Sequence, residues 1–151
     1  MALQDTLMRL YRWLRLDSYR RIFGAVRERS GSLSATEAFS ADVIHLLGTP
    51  TLSQFAACIG ISQPNATYKV NSLVQKGYVN KCVSESDRRE IRLETGEKYD
   101  RYFQRDSQSL RRAIDALRAE YSEQEIAAAG RVINSLLRHM EEEEQTNDRP
   151  V

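Results

Sequence analysis

A mainly α fold with one small β-hairpin is the architecture this chain predicts, on three observations. Within residues 51–77 two short segments with apolar stripes meet at Ile59-Gly60-Ile61-Ser62, the composition of a tight turn between crossing helices. Directly after it, residues 78–83 and 90–94 alternate apolar and polar side chains, and they enclose a basic tip at 84–89. Outside that block, apolar residues recur at helical spacing through both ends of the chain. The sum is a winged helix-turn-helix lobe at 34–95, long N- and C-terminal dimerisation helices at 1–30 and 96–145, and a flexible tail at 146–151.

Leu3, Leu7, Leu10 and Leu14 form a narrow stripe close to a heptad seam, and Ile22, Phe23 and Val26 continue an apolar face. The first helix is therefore expected to run to about Arg29. Its remaining surface is crowded with arginine, so the stripe reads as half of a dimer seam; packing on the chain's own core is the plainer alternative. Ser30-Gly31-Ser32 is a break. Ser34 and Glu37 then have the spacing of a capping box, and the helix behind them is expected to bury Phe39, Val43, Leu46 and Leu47 before ending at Gly48. His45 has no cysteine or carboxylate at metal-ligand spacing and reads as a structural or surface histidine.

Thr51 and Gln54 form a second capping box, opening a helix in which Ala56 permits close crossing. Cys58 falls near its end and reads as a buried or half-buried thiol that packs as a small hydrophobe, and Cys82 reads the same way. Ser62 is a good N-cap, and Pro64 sits in the first turn, where a missing N–H costs nothing. With Ala66, Val70 and Leu73 turned inward, the other face offers Gln63, Asn65, Thr67, Tyr68, Asn71 and Gln75. These are uncharged hydrogen-bonding groups able to read base edges in a major groove, and aspartate and glutamate are absent from among them. Lys69 lies on the flank, where an ammonium suits phosphate. Lys76-Gly77 ends the helix with a cation and a glycine. In the hairpin tip, Arg88 or Arg89 suits a minor groove or phosphates, and Asp87 can orient one guanidinium; a carboxylate–arginine pair that only stiffens the hairpin stays open beside it.

From Thr95 a long helix is expected, with Tyr99, Phe103, Leu110, Ile114 and Leu117 as its stripe. Ser122 and Glu125 make a third capping box for the last helix, whose broad apolar face includes Ile126, Val132, Ile133, Leu136, Leu137 and Met140. Too little chain remains to cover these faces, and an identical chain is the simplest cover. The expected interface is Leu3, Leu7, Leu10, Leu14, Leu117, Ile133, Leu136, Leu137 and Met140.

At 151 residues the chain is one domain by size, and its formal net charge is only +1, so nucleic-acid affinity must come from local distribution. Arginine concentrates in residues 1–30 and glutamate in residues 141–144. Two cysteines are too few for a disulfide framework or a zinc site. No apolar run reaches bilayer length and no signal peptide is legible, so no membrane is expected and the cytoplasm is the expected compartment. No nucleophile–base–orienter set, phosphate-binding glycine loop or paired acids emerge. The reading is no enzyme, no catalytic residue, no metal and no cofactor.

The run FAACIGISQPNATYKVNSLVQKGYV, followed by DRRE, resembles the MarR family of winged helix-turn-helix regulators. The family's wing often carries a longer D-x-R-D-R-R pattern, where this chain has Ser84 and Ser86 in place of an acidic and a basic residue. The resemblance implies a homodimeric DNA-binding transcriptional regulator on an inverted-repeat operator. Ser62, Gln63, Asn65, Thr67, Tyr68 and Asn71 would serve as recognition-helix contacts, and Lys69, Lys76, Lys81, Arg88 and Arg89 as phosphate and wing contacts. It further implies repression relieved by a small phenolic or lipophilic effector, in a cleft to which Trp13, Tyr19, Phe23, Phe39 and Tyr99 are the candidate aromatics. The alternative is a winged-helix protein-interaction module without a specific operator, which the near-neutral charge and the altered wing keep open.

Overall fold

The computed structural model describes residues 2–27, 33–83, 90–103 and 107–147. The chain divides into two compact units, residues 1–106 and 107–151. The first holds α1 (Leu3–Arg27), α2 (Ala35–Leu46), α3 (Leu52–Ile59), α4 (Gln63–Gln75), β1 (Val79–Val83), β2 (Ile91–Thr95) and α5 (Glu97–Phe103). The second holds α6 (Ser107–Glu120) and α7 (Glu123–Asn147). The mainly α architecture with a two-stranded wing is the one the sequence predicts.

Side chains at the helix ends set the boundaries. Ser34 Oγ accepts from the Glu37 N–H while the Glu37 carboxylate takes the Ser34 N–H, and Thr51 and Gln54 repeat the exchange at α3. Ser122 and Glu125 do so at α7. Each expected capping box is formed, satisfying N–H groups that the first helical turn leaves unpaired. Helix α3 stops at Gly60, whose φ of +66° lies in the left-handed region, and Ile61 N then donates to Ala56 O at 3.1 Å. Ser62 caps α4, and Gly77, with φ +80°, releases the chain into β1.

The strands pair antiparallel from Val79 opposite Thr95 to Val83 opposite Ile91. A bridge from Thr51 to Arg92, with Leu93 N on Pro50 O at 2.8 Å, stitches the entry of α3 to β2. The wing is thus tied to the helix-turn-helix by backbone as well as by apolar burial. Phe55, Val70, Leu73, Tyr78, Val79 and Leu93 are fully buried around that junction.

Packing departs from the periodicity in three places. In α2 the inward residues are Ala38, Ala41 and Ile44; Phe39 and Val43 are half-buried, and Leu46 and Leu47 are 75% and 42% exposed. The small residues face inward where α2 meets α1 and α4, and the leucines fall at the end of the helix, past that contact. In α1 only Ile22 and Ala25 are buried, and Phe23 is exposed. The single long helix expected from Thr95 is described as α5 and α6, either side of residues 104–106. Tyr99 and Phe103 stack at 4.5 Å inside the first unit's core, whereas Leu110, Ile114 and Leu117 are exposed on α6. Helix α7 reaches Asn147, so the tail expected at 146–151 begins within it.

The left-handed conformation at Gly60 gives a direct test. Nothing stands within 4 Å of a Cβ built there, so Gly60→Ala adds no clash and only the cost of holding alanine at positive φ. Chemical denaturation is expected to show a loss of about 1–2 kcal/mol with the fold retained; an unchanged midpoint would mean the turn is not held in this conformation.

Candidate nucleic-acid interface

Helix α4 is anchored from inside and bare outside. Ala66, Val70 and Leu73 are fully buried, while Ser62, Gln63, Asn65, Tyr68, Asn71 and Gln75 are exposed and Thr67 is half-buried. Tyr68 is 78% exposed, an unusual position for a large aromatic ring. The helix contains no carboxylate. Its surface is therefore free of the charge that would repel a phosphate backbone.

Side-chain hydrogen bonds hold that surface in place. Glu37 of α2 accepts from Ser72 Oγ at 2.6 Å and from Lys76 Nζ at 2.7 and 2.8 Å, tying the C-terminal half of α4 to the neighbouring helix. Burial disfavours the charged carboxyl, but the hydrogen bonds from Lys76, Ser72 and Ser34 outweigh it and bring the pKa of Glu37 down to about 2. At the other end, Gln63 Nε2 donates to Ser53 Oγ of α3 at 2.7 Å. On the wing side, Lys81 Nζ of β1 donates to Asn71 Oδ1 at 2.6 Å. Thr67 Oγ1 is turned back onto Gln63 O at 2.9 Å.

These contacts revise the expected phosphate ligands. Lys76 is committed to Glu37 and directed into the lobe, so the cation that ends the helix is a strut and not a free charge. Lys81 sits on Asn71 at the wing-side edge of the exposed face. Lys69 is half-buried on the flank and forms no ion pair among the described residues. Arg88 and Arg89, with the rest of the wing tip, lie outside the described residues.

The candidate effector aromatics separate. Tyr19 and Phe23 of α1 both meet Phe39 of α2 edge-on, with centroids 6.4 Å apart. Tyr99 is instead a core residue: its hydroxyl donates to Asp42 Oδ1 at 2.7 Å and its ring stacks on Phe103. Burial first, and that hydrogen bond second, push its phenol above the ordinary range. Trp13 is exposed and makes no ring contact among the described residues. Of the expected interface residues, Leu7 is half-buried, and Leu3, Leu10, Leu14, Leu117, Ile133, Leu136, Leu137 and Met140 are exposed.

Cys58 is exposed, not buried as its position in the apolar run suggested. It points away from the face carrying Phe55 and Ala56. Cys82 is half-buried, and a hydrogen bond with Glu94, followed by burial, raises its thiol, which keeps it protonated. His45 is exposed and stacks at a tilt on Tyr99, 4.8 Å between centroids. Among the described residues no cluster of three metal-ligating side chains occurs, and no helix is long and apolar enough to cross a membrane.

Sequence reasoning missed the second job of Glu37. Its capping-box spacing announced a local bond, but nothing in the sequence signals its reach to Ser72 and Lys76, 35 and 39 residues on. Ser53 and the Lys81–Asn71 pair were hidden for the same reason.

Residues 42–90 match the family model described as MarR family. No curated protein matches the chain. Among solved structures the chain is similar to Streptococcus pneumoniae FabT in complex with DNA, at 24% identity over 90% of this chain and 98% of that one, with a TM-score of 0.50. It is also similar to a mutant of MepR from a multidrug-resistant S. aureus clinical isolate (12% identity, 89% and 96% coverage, TM-score 0.55). A MarR family protein from Bacillus stearothermophilus gives 16% identity, 93% and 98% coverage and a TM-score of 0.51. At these identities the likeness is one of fold.

Glu37→Gln keeps the shape of the strut and removes its charge. We expect it to lower unfolding free energy by roughly 1–3 kcal/mol near neutral pH. The folded carboxyl is depressed, so its contribution is complete above about 4.5 and is lost as pH falls towards about 2. Wild-type stability should drop across that window more steeply than the variant's; parallel curves would show the carboxylate is not held by these donors.

Proposed function

We propose that the chain is a transcriptional regulator of the MarR family, whose model residues 42–90 match, and that it binds an inverted-repeat operator as a homodimer. One observation carries the reading: α4 presents an exposed, acid-free, hydrogen-bonding face while its opposite side is locked into the lobe. That is the form of a helix that enters a major groove, with side chains near its N-terminus meeting base edges. The solved complex of FabT with DNA supports the same use of this fold. Ser62, Gln63, Asn65, Thr67, Tyr68 and Asn71 are the proposed base-side contacts. Lys69, Arg88 and Arg89 supply charge to the backbone, and Lys81 adds positive charge beside Asn71. No chemical step is required of any of them.

Charge and apolar exposure support the dimer. Helix α1 carries six arginines against Asp5 and Asp17, and α7 carries six glutamates against Arg131 and Arg138. Both also expose leucine or isoleucine stripes. Between α6 and α7 a groove of about 520 Å³ is lined by Leu117, Tyr121, Ile126, Ala129 and Ile133. A second copy of the chain brings an apolar and oppositely charged surface to each of these. A twofold dimer sets the half-sites about one helical turn apart. A small phenolic or lipophilic effector would meet Tyr19, Phe23 and Phe39, the aromatics that come together.

Electrophoretic mobility against the DNA upstream of the chain's own coding region, with a salt titration, tests the reading. We expect affinity to fall steeply with salt while preference for one sequence over a scrambled duplex persists. Gln63→Ala should reduce that preference by about 1–3 kcal/mol with folding intact. Binding equally to both duplexes would instead favour the interaction module. For the assembly, replacing Leu7 and Leu10 together with aspartate should yield monomer or unfolded chain in sedimentation; a stable, DNA-binding dimer would take α1 out of the interface.

A further inference from the structure

We propose that the wing-side edge of α4 reads guanine, through a donor-only patch made by Asn71 and Lys81 together. This rests on the reading of α4 as the DNA-contacting helix and names the base that one part of it selects.

An asparagine amide is ambivalent by itself. Its oxygen accepts and its nitrogen donates, the combination that pairs with both the N6 amine and N7 of adenine. Asn71 does not stand by itself. Lys81 Nζ lies 2.6 Å from its Oδ1. An ammonium has three donors and no acceptor, so the chemistry of the pair decides which end of the amide faces the lysine: it is the oxygen. With the ammonium drawn onto Oδ1, the amide offers a partner chiefly the two donors of its NH₂, and the ammonium adds its remaining N–H groups beside it.

Both side chains are exposed, so these donors are open to solvent among the described residues. At about 100° per residue, Asn71 stands within about 60° of Tyr68, the most exposed large side chain of the helix. The patch therefore shares the outward face and lies on its wing-side margin. Two adjacent donors with no acceptor match the N7 and O6 acceptors of guanine. Adenine would bring its N6 amine against an ammonium and an NH₂ group, donor against donor, and cytosine offers only a donor. Thymine offers a single acceptor and uses half of the patch. A phosphate, the anionic group within a lysine's reach on DNA, needs no asparagine at all; the pairing with Asn71 is what adds base information to the charge.

The test is selection from a randomised duplex library with the full-length chain, comparing wild type, Asn71→Ala and Lys81→Met. Both variants change exposed side chains, and thermal unfolding confirms that each is folded. The wild-type motif should contain a guanine in each half-site whose enrichment disappears with Asn71→Ala. Lys81→Met frees the amide oxygen, and adenine should then be accepted at the same position. On a duplex carrying the selected motif, 7-deazaguanine at that position should weaken wild-type binding roughly tenfold, while inosine, which keeps N7 and O6, should bind as guanine does. An Asn71-dependent adenine or cytosine in the wild-type motif overturns the proposal, as does a motif that neither variant changes. A library from which no sequence is enriched overturns this inference together with the reading of α4 as a DNA-contacting helix, and so distinguishes the two failures.

Discussion

Everything on the outer surface of α4 depends on how firmly its inner surface is held. Ala66, Val70 and Leu73 have no solvent exposure, and they sit against the same core as Phe55, Tyr78 and Leu93. Burying one larger aliphatic side chain is worth on the order of 1.5–3 kcal/mol, so Val70 and Leu73 both oppose any roll of the helix that would bring them to solvent. The Glu37 strut adds direction to that anchoring. It grips Ser72 and Lys76, two residues on the flank of the helix, and is itself fixed by capping α2. Rolling α4 about its axis would break charged hydrogen bonds in a half-buried setting, where an unpaired carboxylate is costly.

The consequence for recognition is that the polar face is partly ordered before any partner arrives. Gln63 is bonded to α3, Asn71 to β1, and Thr67 to its own helix. Side chains already held in one arrangement lose less freedom on binding. Tyr68 and Asn65 carry no such tether among the described residues, and they are the members of the set left to adapt. The face thus mixes side chains that are tethered with side chains that are not.

Much of the architecture was legible in the chain. Capping boxes at Ser34, Thr51 and Ser122, the turn at Gly60 and the alternation at 78–83 and 90–94 are local signals, each written within four to six residues, and each is realised, the strands to within one residue. What periodicity could not resolve was which apolar residue of a stripe meets a neighbour. Helix α2 offered leucines and alanines at compatible spacing, and the alanines face inward because α1 and α4 pack against that side; only the tertiary arrangement distinguishes them. Tyr99 and Phe103 looked like the first turns of an interface helix, but they complete the core of the first unit. The site divides along the same line. Composition picked out the exposed polar face of α4, including Tyr68, whereas the inward commitment of Lys76 follows from Glu37, distant in sequence and close in space. Cys58 was misplaced because an apolar run suggests burial all round, while α3 buries only the side that carries Phe55 and Ala56.

The central claim is that the outward face of α4 touches DNA. Photo-crosslinking tests it most directly: benzoylphenylalanine in place of Tyr68, irradiated with a radiolabelled duplex from the chain's upstream region, with Tyr121, just past the end of α6, replaced in a parallel sample. The account predicts a DNA adduct from position 68 and none from position 121. Adducts from position 121 alone, or from position 68 to protein only while the duplex stays bound, would contradict it.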